Sequence, residues 1–247
     1  MLRLMTYNIH GCVGVDKKLD VGRVAGVIAH SRPDVVALQE LDVGRARSES
    51  VDQAHAIAAR LGMTVHFNAA LSVEEEQYGD AILTALPEKL VKVGALPTLG
   101  KIPRNETRGA LWVSIEVEGR QLQVINTHLG LVPLEQQRQA KCLVGDGWLG
   151  HPACLDPVVL LGDFNATSRY AAYKTLAGRL SDVQRVQGRR RGGRSVKTFP
   201  SRMPMLRIDH MFVSRSIEVL DVHAPDSALA RIASDHLPLV VDIGFRT

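Results

Sequence analysis

Apolar runs that end in carboxylates, amides and imidazoles recur six times along this 247-residue chain, and they constrain its fold more than any other feature. "LMTYNIH" closes on Asn8 and His10, "VVALQE" on Gln39 and Glu40, and "LQVINTHL" carries Asn126, Thr127 and His128. "VVLLGDFN" delivers Asp163 and Asn165, "RIDHMFV" contains Asp209 and His210, and "IASDHLPLV" sets Asp235 and His236 before a strand-like segment. Short apolar runs of this kind read as buried strands. A single carboxylate at a strand end is usually a turn residue or a helix cap. Six such ends are different, because burying unpaired carboxylates is costly, and their repetition implies a cation or a hydrogen-bonded network.

The segments between these runs carry helix signals. Asp20 is placed to cap a helix that buries Val21, Val24, Ala25 and Ile28, and Ser31-Arg32-Pro33 ends it. Asp52 opens a second helix through Leu61, with Gly62 as its C-terminal cap. Strands are expected at 2–9, 34–41, 64–71, 79–86 and 89–95, and residues 110–117 and 121–129 form the clearest hairpin, with "EGR" at the turn. Helices are expected near 134–149 and 169–178, and further strands at 157–162, 207–214, 216–222 and 237–243. The basic segment "GRRRGGRSVK" (188–197) reads as a mobile solvated loop, because glycines and like charges build no core. With no linker and no repeat, residues 1–247 are expected to form one α/β or α+β sandwich domain.

Composition narrows the function classes. Hydrophobic content of 45% and charged content of 23% are ordinary for a globular protein, and aromatics at 4% advertise no stacking platform for single-stranded nucleic acid. A net charge of +4 suits a phosphate-bearing substrate without requiring one. Cys12, Cys142 and Cys154 are odd in number and lack metal-type spacing, which points to a reducing compartment. The N-terminus enters a strand pattern directly, with neither a signal peptide nor a membrane span, so a cytoplasmic location is expected. No protein partner is indicated.

The donor types restrict the cation. Glu40, Asp163, Asn165 and Asp235 offer oxygen, and Asn8 adds an amide oxygen. Oxygen donors without thiolates favour Mg²⁺ or Mn²⁺ over zinc. Mg²⁺ binds through few protein carboxylates and keeps waters for a phosphate, so the remaining polar groups must orient water, histidine or the phosphoryl group.

Taken in order, "TYNIHGC", "PDVVALQELD", "DQAHAIAARLGM", "YGDAILT", "RGAL", "NTHLG", "GDFNA", "RIDHMFVS" and "SDHLPL" resemble the endonuclease/exonuclease/phosphatase superfamily, of deoxyribonuclease I-like fold, over about residues 3 to 243. The resemblance implies a four-layer sandwich of two mixed β-sheets packed face to face and flanked by helices, and metal-dependent cleavage of a phosphate ester. It makes Glu40 the principal Mg²⁺ ligand, with Asn8 close by and Asp235 assisting. Asp163 is implied to orient or deprotonate the attacking water, and Asn165 to hold the phosphoryl group. His236 is implied to contact the scissile phosphate, its ring fixed by Asp209. His128 matches a second histidine, with Glu76 of the "EQY" segment (Glu76 to Tyr78) as its carboxylate partner. Arg108 and the strand-end residues Asn126 and His10 are assigned to the substrate side.

The chain departs from the family pattern in three places. Asp80 stands where many relatives have Asn, Thr84-Ala85 where many have Ser-Arg, and His10 where abasic-site endonucleases often carry Asp. The expected activity is Mg²⁺-dependent hydrolysis of a phosphodiester, with a DNA endonuclease or exonuclease as the alternative. Nucleic acid, a phospholipid headgroup and a small phosphate ester are not distinguished as substrates. A catalytically dead binding module is a third class, opposed by the presence of Glu40, Asp163 and His236 together.

Overall fold

In the first strand, Leu2 and Leu4 face one way while Met5 and Tyr7 face the other, so both faces of the strand are apolar and both must be covered. This residue pattern is met by a four-layer arrangement. The computed structural model describes residues 1–73, 76–100, 106–191 and 195–246. In chain order the elements begin with β1 (Leu2–Asn8), α1 (Val21–Ser31), β2 (Val35–Val43), α2 (Gln53–Leu61), β3 (Thr64–Val73) and β4 (Glu76–Thr84). They continue with β5 (Glu88–Ala95), β6 (Gly109–Val117), β7 (Arg120–His128), α3 (Pro133–Val144), β8 (Val158–Asp163) and α4 (Ala171–Ala177). The last are β9 (Ser181–Asp182), α5 (Val183–Arg191), β10 (Asp209–Val213), β11 (Ile217–His223), α6 (Ala228–Ala233) and β12 (Leu239–Phe245).

The strands form two six-stranded sheets, ordered β11-β12-β1-β2-β4-β3 and β5-β6-β7-β8-β10-β9. Each sheet is mixed. It holds one parallel pair, β1–β2 or β7–β8, and its other neighbours are antiparallel. Leu4, Val35 and Ala37 meet Leu111, Val113 and Leu161 between the sheets. The outer face of the first sheet packs on α1, α2 and α6, and that of the second packs on α3 and α4.

Polar groups also join the sheets. Asn126 of β7 is fully buried; its amide donates to the carbonyls of Leu38 and Ala81, each at 2.9 Å, and its oxygen accepts from Gln39 Nε2 at 2.7 Å. The expectation that Asn126 faces substrate is therefore corrected: its hydrogen bonds are spent on cross-linking the sheets.

The expected caps hold: Asp20 accepts from Arg23 N and Asp52 from His55 N, and Gly62 closes α2 in the left-handed region. The helix expected to reach residue 149 stops at Val144. α5 covers the first part of the basic segment expected as a loop, while 192–194 lie outside the described residues. Val183 and Val186 anchor this helix on the core, and Asp182 Oδ1 accepts from Gln184 N at 2.8 Å, so packing and capping override the run of like charges.

Candidate active site

Parallel strands end at the same edge of a sheet, so the two parallel pairs each deliver two functional ends to one place. β1 and β2 bring Asn8 and Glu40; β7 and β8 bring His128 and Asp163. Within the second sheet, His128, Asp163 and Asp209 form one row across β7, β8 and β10, because His128 registers with Asp163 and Asp163 with Asp209. Three motifs distant in sequence thus become neighbours through strand register. Gly162 permits this closeness: a Cβ there would lie 1.8 Å from the Thr127 carbonyl oxygen, with φ at +145°.

Glu40 reaches the site through an irregularity. The β2–β4 register shifts between Leu38 and Leu41, and Glu40 sits inside that bulge at φ +62°. A bulge re-aims one side chain, and a non-glycine residue in the left-handed region marks a position held by its surroundings. The side-chain nitrogen of Asn8 donates to Glu40 Oε1 at 2.9 Å and to Asp163 Oδ2 at 3.0 Å, while its oxygen accepts from His10 N at 3.0 Å. Asn8 thus bridges the two carboxylates, with its oxygen turned toward the backbone.

Asp163 lies at the centre. Its Oδ1 accepts from Asn165 N at 2.8 Å, a local turn that holds Asn165 at φ +47°. The pair converges through this turn; an extended backbone, which alternation would suggest, is not what directs them. Phe164 between them packs into the core beneath. His236 Nδ1 donates to Asp209 Oδ2 at 2.9 Å, and its Nε2 lies 3.7 Å from Asp163 Oδ2. Burial pulls the His236 pKa down, but Asp209 and Asp163 outweigh it and raise it to about 10, so the ring is an imidazolium. Burial and the Asp209 charge push the Asp163 carboxyl up, against His236 and the Asn8 hydrogen bond.

His128 is the opposite case. Burial, then the positive charges of Arg108 and His236, hold its pKa well below the ordinary value, and the ring stays neutral. Arg108 Nη1 donates to His128 Nδ1 at 2.8 Å, which leaves the ring proton on Nε2, facing Asp163 Oδ2 at 3.6 Å and Glu40 Oε1 at 3.9 Å. Asn165 Nδ2, 3.0 Å from that nitrogen, donates to the Leu129 carbonyl. The expected partner of His128, Glu76, is corrected: it stands at the start of β4, where its carboxylate accepts from Ala46 N at 3.0 Å and lies 3.6 Å from Arg45 Nε. Arg108, and not Glu76, stands against His128 Nδ1.

A cleft of about 850 Å³ opens over these groups, lined among others by His10, Glu40, Tyr78, Arg108, His128, Asp163, Asn165, Asp235 and His236. His10 Nδ1 lies 3.8 Å from Asp235 Oδ1 at its mouth. The Tyr78 ring is covered by the guanidinium groups of Arg45 and Arg47, at 5.7 and 5.5 Å. Asp80 is buried behind the cleft; burial pushes its carboxyl up to about 8, against the Arg108 charge and a hydrogen bond from the Glu40 backbone. The sequence did not single out Thr198, whose hydroxyl donates to Asp209 Oδ2, or Phe199, whose ring centroid lies 4.8 Å from that of His236. Neither has a local signal, because both reach the site from a loop.

The sequence profile of the Endonuclease/Exonuclease/phosphatase family matches residues 5–236. The chain belongs to this family. It is 26% identical over 253 aligned residues to the uncharacterized protein YbhP of Escherichia coli K12, covering 98% of this chain and 95% of that one. Among solved structures, an endonuclease/exonuclease/phosphatase from Beutenbergia cavernae superposes with a TM-score of 0.76 at 25% identity, covering 99% of this chain and 72% of that one. A mannosyl-6-phosphatase from Bacteroides thetaiotaomicron superposes with a TM-score of 0.76 at 19% identity, covering 99% of this chain and all of that one, a likeness of fold.

Members of the endonuclease/exonuclease/phosphatase family are hydrolases of phosphoesters and generally use divalent metals. Among the described residues, Asp163, Asp209 and His236 present ligand atoms within 4.8 Å of one another. Asp209 Oδ2 and His236 Nδ1 are spent on each other, with Thr198 also donating to Oδ2, while Asp209 Oδ1 is buried without a hydrogen-bond partner. Glu40 and Asp235 fit better: both are half-buried carboxylates on the cleft, and their hard oxygens match a hard divalent ion. Among the described residues no helix is long and apolar enough to cross a membrane.

Proposed function

We propose that this chain, as one domain, hydrolyses a phosphodiester with the help of Mg²⁺ or Mn²⁺. The observation that carries the reading is the convergence on one oxygen, Asp163 Oδ2, of a neutral histidine, a cationic histidine and the Asn8 amide. Phosphoryl transfer needs positioning and charge stabilisation more than covalent help. Asp163 orients the attacking water and accepts its proton. His236, charged and fixed by Asp209, stabilises negative charge on the phosphoryl oxygens, and His128 Nε2 donates a hydrogen bond to the same group. Asn165 holds the phosphoryl group, and Arg108 keeps His128 neutral and correctly protonated. Glu40, with Asp235, would hold the cation, which supplies further positive charge to the phosphoryl oxygens. Asn8 acts as a positioning residue for both carboxylates. The unpaired cysteines favour a cytoplasmic location.

The test is hydrolysis of bis(4-nitrophenyl) phosphate, plasmid DNA, abasic oligonucleotides, sphingomyelin and inositol phosphates side by side, with Mg²⁺ and with a chelator. Metal-dependent diester cleavage is expected, with loss of cleavage in Asp163→Ala. Glu40→Gln is expected to abolish the Mg²⁺-induced rise in thermal stability, which for a bound ligand is about 2.7 kcal/mol at 100 times Kd. Chelator-resistant cleavage, or an unchanged stability rise in Glu40→Gln, would overturn the assignment.

A further inference from the structure

The cleft lining is of two unlike kinds. Asp42, Arg47, Glu106 and Arg108 are charged. An apolar wall is supplied by one large, solvent-exposed side chain from each of three separate loops: Leu131 after β7, Tyr170 before α4, and Leu206 before β10. Leu131 is 70% exposed and Leu206 is 43% exposed, and Met203 and Met205 stand exposed on the same loop as Leu206. That loop is built rather than loose. The backbone nitrogens of Met205 and Leu206 donate to the Phe199 carbonyl at 2.9 and 2.8 Å, and the Phe199 ring packs on His236. Leu206 is thereby tied to the phosphate-contacting histidine.

Single exposed apolar side chains need no explanation, but several gathered at one mouth mark a surface that something covers. Leu131, Tyr170 and Leu206 line the same cleft as Asp163, Asn165 and His236, so the group best placed to cover them is attached to the phosphorus. We infer that the substrate phosphoester carries an apolar alkyl, acyl or aryl substituent that lies along Leu131, Tyr170 and Leu206, making these specificity-determining residues. The inference rests on the phosphoesterase reading of the cleft. The occupant is a single substrate molecule entering from solution, with its polar part toward the charged lining residues.

Binding of monomeric n-alkylphosphonates, from methyl to octyl, tests this by calorimetry without turnover. Full burial of a methylene is worth about fourfold in affinity, and half-burial on an open wall about twofold per added methylene. The wild-type protein is expected to show that increase, and Leu131→Ser combined with Leu206→Ser to flatten it while the thermal transition is kept. Affinity independent of chain length, or an unchanged dependence in the double variant, would overturn the inference. Binding confined to anionic phospholipid vesicles, with none to monomeric phosphonates, would also overturn it and assign the wall to a membrane surface. If bis(4-nitrophenyl) phosphate is not hydrolysed while the chain-length dependence appears, the phosphodiesterase reading fails and the apolar subsite stands.

Discussion

His128 and His236 approach the same oxygen, Oδ2 of Asp163, at 3.6 and 3.7 Å, yet one ring is held neutral and the other cationic. Burial alone would make both neutral. The difference lies behind each ring: Arg108 donates to Nδ1 of His128, whereas Asp209 accepts from Nδ1 of His236. One carboxylate therefore faces a hydrogen-bond donor of fixed tautomer on one side and a fixed positive charge on the other, a division of labour suited to general acid–base and electrostatic catalysis.

This division predicts different pH behaviour for the two histidines. Replacing His236 with Gln is expected to lower kcat/KM by about 10²- to 10⁴-fold. It should also remove the alkaline limb, which in the wild type falls as the imidazolium is lost near about 10. His128→Gln is expected to lower the rate but keep that limb. Profiles of kcat/KM against pH decide it; an alkaline limb that survives in His236→Gln assigns it to another group.

Asp209→Asn keeps a hydrogen-bonding side chain behind His236 and removes its charge. The raised His236 pKa means that the ion pair contributes its full stability below the unfolded histidine range, near about 6.5, and loses it as pH rises through about 10. Asp209→Asn is therefore expected to destabilise the fold by about 3 kcal/mol at mildly acidic pH, with the deficit shrinking as pH rises from about 6.5 to about 10. Denaturant titrations at several pH values measure it, and a deficit that grows with pH would contradict the pairing.

Asp80 offers a test of buried charge. Its carboxyl is pushed up to about 8, so its stabilising contribution is full below the unfolded carboxylate range, near about 4, and is lost as pH rises through about 8. In chelator, Asp80→Asn is expected to exceed the parent in stability above pH 8 by on the order of a few kcal/mol, with the two converging toward pH 4. Equal stability across the range would mean that Arg108 fully compensates the charge.

Asn126 separates a structural role from a catalytic one. Asn126→Ala removes the side-chain hydrogen bonds to the Leu38 and Ala81 carbonyls, while the Gln39 amide keeps Thr6 Oγ1 and the Ala37 carbonyl. A loss of about 2 kcal/mol or more in unfolding free energy is expected, because each buried group that loses its bond costs about 1–3 kcal/mol. The KM of the remaining folded protein should not change. A raised KM with intact stability would return Asn126 to the substrate side.

Much of the architecture was legible because it is written locally. The alternating and continuous apolar runs specify strands within a few residues, and Asp20, Asp52 and Gly62 mark helix ends by their own hydrogen-bonding and backbone preferences. The ordered motifs carried the family, and the oxygen-rich donor set carried the preference for a hard cation. α5 escaped this reading because its two apolar anchors are outnumbered by arginines and act only through contact with the core.

The sequence by itself determined which chemical groups this protein can bring to a phosphate: two histidines, a cluster of carboxylates and the strands that end in them. Only the tertiary structure decided their partners. Strand register put His128, Asp163 and Asp209 in one row, the β2 bulge aimed Glu40, Arg108 rather than Glu76 became the neighbour of His128, and Asn126 went to the seam between the sheets. The reason is physical: a residue's type fixes what it can donate or accept, whereas its charge state and partner depend on burial and on strands paired across long stretches of chain, which no local pattern encodes.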